Sequence, residues 1–293
     1  MSETIGFIGL GLMGEGFTRR LIETGRAVVG YDIDPGKVAA AADWGVTPAA
    51  SAAEVAAKAD IVLVAVINTK AVEDVVAGAS GIVTAGRLDG KVLVDHSTTE
   101  IATTNRLAAL LEERTGMAFV DAPVSGGPEA ALAGKLAIMA GGPDAAIARI
   151  GPLMADLGKL THMGAVGTGQ ATKLVNQTIV LTNFCVLAEA FRLAQAHGVD
   201  AARIPEALGT GYAGSNMLEM AFERMISKDF APRGYARQVL KDLELVQEDA
   251  RAHQLALPMT AQALTLFRLL NAGGKSELDG TAVVTLIPEP GET

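Results

Sequence analysis

Residues 4–14 read Thr4-Ile5-Gly6-Phe7-Ile8-Gly9-Leu10-Gly11-Leu12-Met13-Gly14, and this stretch decides the fold. The run Thr4–Ile8 has strand length and no basic flank before it, which predicts a buried strand rather than a signal peptide. It leads straight into Gly-x-Gly-x-x-Gly, and the segment Met13–Glu23 that follows has helical composition. In a strand–turn–helix unit Gly9 allows the tight turn, Gly11 lets a pyrophosphate approach the backbone and Gly14 lets helix and strand pack closely. The first turn of the helix, at Leu12 and Met13, then offers N–H groups and partial positive charge to phosphates. In a chain with 33 glycines the motif alone also fits a plain structural turn.

The surrounding pattern extends the reading. Short apolar runs recur at Ala27–Tyr31, Ile61–Val66, Val92–Val94 and Ala118–Val120. Between them lie alanine-rich helical segments at Lys37–Asp43, Ala52–Lys58, Ala71–Ala77 and Ile101–Arg114. Unbroken apolar strands alternating with helices predict a parallel sheet covered on both faces. Leu136–Ala140 and Leu160–Met163 read as two further strands. From about residue 165 strand signals cease, and a proline-free segment ending at Gly198 predicts a helix of nearly thirty residues. Helical segments follow at Ala202–Leu208, Asn216–Ile226, Arg237–Ala252 and Met259–Asn271, and the tail after Thr285 is expected to fray. The fold class is therefore α/β: a doubly wound Rossmann-type sheet over residues 1–163 and an all-α domain over 164–293, joined by the long helix.

The second strand ends on Asp32, eighteen positions after Gly14. A carboxylate there meets the adenosine ribose hydroxyls and repels a 2′-phosphate. Ile33, Asp34 and Pro35 follow, with no cation to receive such a phosphate, so NAD is expected in preference to NADP. Asp34 before Pro35 reads as a helix N-cap.

Composition sets the outer limits. Of 293 residues 49% are hydrophobic and 19% charged, which suits a packed soluble core. A net charge of −9 argues against a nucleic-acid binder. The apolar strand segments are too short to span a bilayer, and the long helix carries Lys173, Asn176, Glu189 and Arg192, so no membrane partner is expected. The single cysteine, Cys185, fits a reducing compartment and a cytoplasmic protein. The four histidines (His96, His162, His197, His253) lack metal-ligand spacing, and the ten methionines read as core.

Four separated motifs carry a family resemblance: GFIGLGLMGEG at the start, DAPVSGGPEAALAGKLAIMAGG in the middle, GTGQATKLVNQ opening the long helix and LKDLELVQEDA near the end. In this order they resemble the β-hydroxyacid dehydrogenase family, which includes 3-hydroxyisobutyrate dehydrogenase and tartronate semialdehyde reductase. The resemblance spans nearly the whole chain. It implies that Ser125, Gly126 and Gly127 hold a substrate carboxylate, that Lys173 is the catalytic acid/base and that Asn176 holds the reacting oxygen. Lys173 and Asn176, at i and i+3, share one helix face. Lys241 resembles the second substrate-site lysine, and Asp242 reads as a structural partner or a helix-surface residue. Ile67, Asn68, Ser97 and Thr98 correspond to positions lining the dinucleotide and nicotinamide. Gly234 stands seven before Lys241 where an aromatic residue is common, with Tyr235 beside it, and Arg237 is a candidate for a second acidic group on the substrate or a plain surface residue. The implied activity is NAD-dependent hydride transfer to or from a small 3-hydroxy acid or its semialdehyde, by a homodimer or homotetramer. Imine reduction on the same fold, or a silent dinucleotide-binding module, are the alternatives; Lys173 speaks against the first, and Lys173, Asn176, Lys241 and Ser125-Gly126-Gly127 together speak against the second.

Overall fold

Alternate residues of a strand face opposite sides of its sheet, so a strand covered on both sides must be apolar throughout. The strand Ile61–Val64 meets this condition: Ile61 and Leu63 join one core cluster, Val62 and Val64 the other, and all four are fully buried. The computed structural model describes residues 3–291 of the chain. It divides into two compact units, Met1–Lys173 and Leu174–Thr293. The sequence pattern places the domain boundary at residue 163. The units part ten positions further on, inside the long helix.

In the first unit the elements run β1 (Thr4–Ile8), α1 (Leu12–Glu23), β2 (Ala27–Tyr31), α2 (Pro35–Ala42), β3 (Thr47–Pro48), α3 (Ala52–Lys58) and β4 (Ile61–Val64). Then come α4 (Thr69–Ala77), β5 (Val92–Asp95), α5 (Ile101–Thr115), β6 (Ala118–Asp121), β7 (Val124–Ser125), α6 (Gly127–Leu132), β8 (Leu136–Gly141), α7 (Asp144–Leu157) and β9 (Gly158–Gly164). The sheet order is β3-β2-β1-β4-β5-β6-β8-β7, with β9 paired to β8. Strands β1 to β6 are parallel, as expected of a doubly wound sheet. The far edge differs, because β8 runs antiparallel to β6 and β7. The chain reverses between β7 and β8 over residues 126–135, which hold only the short α6, since antiparallel neighbours need no long crossover; β9 then returns parallel to β8 after α7. The chain order reverses between β1 and β4, and ligands bind in such sheets in the crevice at that switch point.

Local chemistry fixes the helix starts. Asp34, Ser51 and Asn68 cap α2, α3 and α4 through side-chain oxygens that accept backbone N–H groups. The one tryptophan, Trp44, donates its indole N–H to Thr18 Oγ1 at 3.1 Å and lies under the Arg19 guanidinium at 4.2 Å.

The 29-residue α8 (Thr168–Ala196) gives its first six residues to the first unit and the rest to the second. The second unit continues with α9 (Ile204–Leu208), α10 (Asn216–Ser227), α11 (Ala236–Ala252) and α12 (Pro258–Ala272). The segment Ala202–Leu208, expected as one helix, is a 3-10 turn at Ala201–Arg203 followed by α9, with Pro205 at the helix start. The core of this unit gathers Phe191, Phe222, Leu243 and Phe267. Cys185 is buried on α8, and burial pushes its thiol up to about 12, so it acts as a small apolar side chain. Through Glu289 the tail is tied down rather than frayed, and its last two residues lie outside the described ones. A 3-10 turn at Gly280–Leu286 joins the core, Ile287 O accepts from Arg192 Nε, and Glu289 pairs with Lys228 and Arg192.

Candidate active site

The glycine turn is built as its spacing predicts. Gly9 has φ +98°, and a Cβ there would stand 2.2 Å from Ala65 O, so glycine is required on both counts. A Cβ on Gly14 would stand 2.0 Å from Gly9 O. Around Gly11, by contrast, an added Cβ meets nothing within 4 Å, and α1 starts at this residue without a side-chain cap. The backbone is thus closed behind the turn and open in front of it, with the N–H groups at Leu12 and Met13 undercut by no side chain. That is the cradle a dinucleotide pyrophosphate requires. Asp32 is bound into the same turn: Leu10 N donates to its Oδ2 at 2.7 Å and Asp34 N to its Oδ1 at 2.9 Å. Its carboxylate is fixed in place by the loop it serves.

At the carboxyl ends of the next strands, Ser97 Oγ accepts from Val66 N at 3.0 Å and ties the loop after β5 to the loop after β4. Ser97 is buried and Thr98 half-buried, while Ile67 is exposed and Asn68 Oδ1 is held by the Ala71 N–H as the α4 cap.

Behind this edge lies machinery that the sequence reading did not single out. Asp121, at the end of β6, accepts from Gly167 N and Gln170 N at 2.8 Å each and so caps α8 from another strand. Burial pushes its carboxyl up to about 6 against the pull of those N–H groups. A Cβ on Gly169 would stand 2.4 Å from Asp121 O and 2.5 Å from Met139 O, so the helix start and strand end touch through bare backbone. Gln170, fully buried, donates to Ser97 O and accepts from Thr99 N, clamping the loop after β5 to α8. His96 is buried, stacked on Phe17 at 4.8 Å with Nδ1 2.7 Å from Ala122 O, and burial lowers its pKa to about 4. His162, in β9, faces the carbonyls of Gly142 and Gly164 at 3.0 and 2.8 Å, a structural role.

Lys173 stands about one turn beyond Gln170 on α8. It is 8% exposed, and its Nζ donates to Val124 O at 2.7 Å. The next residues are Ser125, Gly126 and Gly127, where the chain passes through positive φ at both glycines (132° and 75°). The structure therefore brings the lysine and the Ser-Gly-Gly loop together inside the first unit.

In the second unit Asn176 Nδ2 donates to Gln177 Oε1 at 2.9 Å, Gln177 Nε2 donates to Asp242, and Asp242 pairs with Lys241 at 2.8 Å. Asp242 is buried, which favours its reading as a structural partner over a helix-surface residue. Tyr235 stands apart from this group, at the start of α11, where the Arg237 guanidinium covers its ring at 4.3 Å. Arg237 also pairs with Glu277 at 2.8 Å, which favours its reading as a surface residue. A Cβ on Gly234 meets nothing within 4 Å, so the place of the missing aromatic ring is open.

Comparison with known proteins bears directly on this arrangement. Residues 4–169 match the NAD binding domain of 6-phosphogluconate dehydrogenase, and residues 167–287 match the NAD-binding domain of NADP-dependent 3-hydroxyisobutyrate dehydrogenase. The 2-hydroxy-3-oxopropionate reductase of Escherichia coli (strain K12) is 39% identical over 96% of this chain and 95% of its own.

The chain belongs to the β-hydroxyacid dehydrogenase family.

Other members of that family are equally co-extensive. The 2-(hydroxymethyl)glutarate dehydrogenase of Eubacterium barkeri is 36% identical over 97% of this chain and 94% of its own. The crystal structure of 3-hydroxyisobutyrate dehydrogenase from Salmonella typhimurium superposes with a TM-score of 0.87 at 28% identity, covering 98% of this chain and all of that one. An imine reductase from Pseudomonas sp., at 19% identity over 98% of this chain and all of its own and a TM-score of 0.66, shares the fold alone. As a β-hydroxyacid dehydrogenase the protein uses a nicotinamide cofactor, and the glycine turn and Asp32 fit one.

Proposed function

We propose that the protein is an NAD-preferring dehydrogenase of small 3-hydroxy acids, or reductase of the matching semialdehydes, with Lys173 as its acid/base. The observation that carries this reading is the buried Lys173 Nζ held at the Val124 carbonyl, next to the Ser125-Gly126-Gly127 loop. Gly9, Gly11, Leu12, Met13, Gly14 and Asp32 would hold the dinucleotide, with Ile67, Asn68, Ser97 and Thr98 along its nicotinamide half. Bound NAD supplies the acceptor for the hydride that leaves the carbinol carbon. Lys173 Nζ takes the hydroxyl proton in oxidation, and in reduction returns one to the carbonyl oxygen. Ser125, Gly126, Gly127 and Lys241 bind the carboxylate, Asn176 orients the reacting oxygen through its amide, and Tyr235 lines the substrate side. The preference for NAD is supported by the fixed Asp32 carboxylate, which repels a 2′-phosphate, and by the exposed apolar Ile33 after it.

The substrate class is supported by relatives named for 2-hydroxy-3-oxopropionate, 2-(hydroxymethyl)glutarate and 3-hydroxyisobutyrate, all small carboxylates. A homodimer or homotetramer is supported by exposed Val175, Ile179, Val186 and Leu193 along α8. By length and composition that helix could also cross a bilayer, but its buried Gln177 and nearly buried Arg192 side chains belong in a protein interior rather than in lipid. The acidic net charge supports a small-molecule enzyme without a nucleic-acid partner, and the lone buried cysteine supports a cytoplasmic setting.

The test is reduction of NAD or NADP by the purified protein with 3-hydroxyisobutyrate, serine, glycerate, 3-hydroxypropionate and 4-hydroxybutyrate. Turnover of a 3-hydroxy acid, faster with NAD, is expected. Silence with every 3-hydroxy acid, or a preference for NADP, overturns the corresponding part of the reading.

A further inference from the structure

Two pairs of sequence neighbours, one on α8 and one on α11, are linked within the second unit by a hydrogen bond. Asn176 donates to its neighbour Gln177, Gln177 donates to Asp242, and Asp242 pairs with its neighbour Lys241. Consecutive residues on a helix point about 100° apart and do not ordinarily meet. Both neighbour pairs are therefore drawn together by the central link, which is buried: Gln177 is 6% and Asp242 9% exposed. The two ends of the chain of bonds are the residues assigned to the substrate's oxygen and to its carboxylate.

The chemistry of the link gives it a direction. An ionised carboxylate only accepts hydrogen bonds, so Asp242 makes Gln177 present its NH2 group. Gln177 must then turn its carbonyl to Asn176, and Asn176 must answer with its own NH2. One Asn176 N–H is spent on this bond, and the second remains to donate to a substrate oxygen. Without Asp242 either amide can turn over at little cost, because its two ends have nearly the same shape.

We propose that Gln177 and Asp242 are positioning residues: they fix the sense of the Asn176 amide and the place of the Lys241 ammonium, and so set the span between the substrate's reacting oxygen and its carboxylate. The inference rests on the roles given above to Asn176 and Lys241. It makes the pair a ruler for 3-hydroxy over 4-hydroxy acids.

The test is a variant series with the best acid of the panel above, both unlabelled and deuterated at the carbinol carbon, with folding checked by circular dichroism and thermal melting. Gln177→Leu cuts the link to Asn176 and leaves Asp242 beside Lys241. Its kcat falls by about tenfold to a hundredfold while KM holds, and the deuterium isotope effect on kcat rises as hydride transfer becomes slower. Asp242→Asn lowers kcat and also raises KM, and it narrows the preference for 3-hydroxypropionate over 4-hydroxybutyrate. Combining Gln177→Glu with Asp242→Asn conserves charge and restores a one-way link, since the new carboxylate only accepts, and kcat recovers to within a few-fold. A folded Gln177→Leu protein with unchanged kcat overturns the proposal. So does a fall in kcat with an unchanged isotope effect, which is loss of active protein. Failure of the paired variant to recover overturns it as well, and decides alone should Gln177→Leu not fold. The parent reading fails separately, by full turnover in Lys173→Ala or an unchanged KM in Lys241→Ala.

Discussion

The two units hold their functional side chains in different ways. In the first, each is moored to backbone: Asp32 to Leu10 N, Ser97 to Val66 N, Asp121 to Gly167 N and Gln170 N, Lys173 to Val124 O. In the second, Asn176 and Lys241 are moored to other side chains through Gln177 and Asp242. Backbone moorings depend on strand ends and glycine turns, which the fold supplies once it forms. Side-chain moorings depend on four particular residues and break with any one of them.

Lys173→Ala subjects this contrast to its most severe trial. It removes the proton-transfer group and leaves the strands and loops that frame it, so kcat should fall by roughly 10²- to 10⁴-fold with the melting temperature little changed. Turnover near wild type in this variant would remove the first unit's claim to the chemistry.

Gly169→Ala probes the mooring itself. Its Cβ would press on the carbonyls of Asp121 and Met139, both of them strand backbone, so the start of α8 must shift. A loss of stability of about 2–4 kcal/mol in urea unfolding is expected. A loss below about 1 kcal/mol would show that this contact is softer than the side-chain link of the second unit.

Acidity gives the most selective test. The His96 pKa is lowered from about 6.5 to about 4, so its contribution is complete above pH 6.5 and is lost as pH falls through 4. Asp121 is raised from about 3.8 to about 6, so its contribution has the opposite slope: complete below pH 3.8, and lost as pH rises through 6. Between pH 4 and 6 the two largely offset each other. His96→Gln should expose the Asp121 slope, with stability falling as pH rises from 4 to 6, and the wild type should lose about 3 kcal/mol relative to the variant between pH 6.5 and 4. A constant difference across that range would mean that the ring is not held neutral by burial.

The same contrast explains what could be read from the sequence. Strands β1, β2, β4, β5 and β6 and the long α8 announce themselves through apolar runs and a proline-free stretch. The two-residue strands β3 and β7 are too short to carry a pattern, and the antiparallel edge depends on pairing, which composition does not encode. Lys173, Asn176 and Lys241 stand in motifs that are visible in the sequence. The roles of Asp121 and Gln170 are not visible there, because their partners lie 46 and 71 residues away and polar residues in a motif give no sign of burial. Gln177 lay in plain view at the end of GTGQATKLVNQ. Only its bond to Asp242, 65 residues on, shows why a glutamine stands there.

Trp44 has a practical consequence. As the only indole in the chain, bonded to Thr18 on the helix that opens the glycine turn, it makes the first unit optically distinct. Excitation confined to tryptophan reports that unit alone, whereas circular dichroism sums the helices of both. Where the two signals melt at different temperatures the units unfold as separate cooperative blocks, and where they coincide the chain unfolds as one.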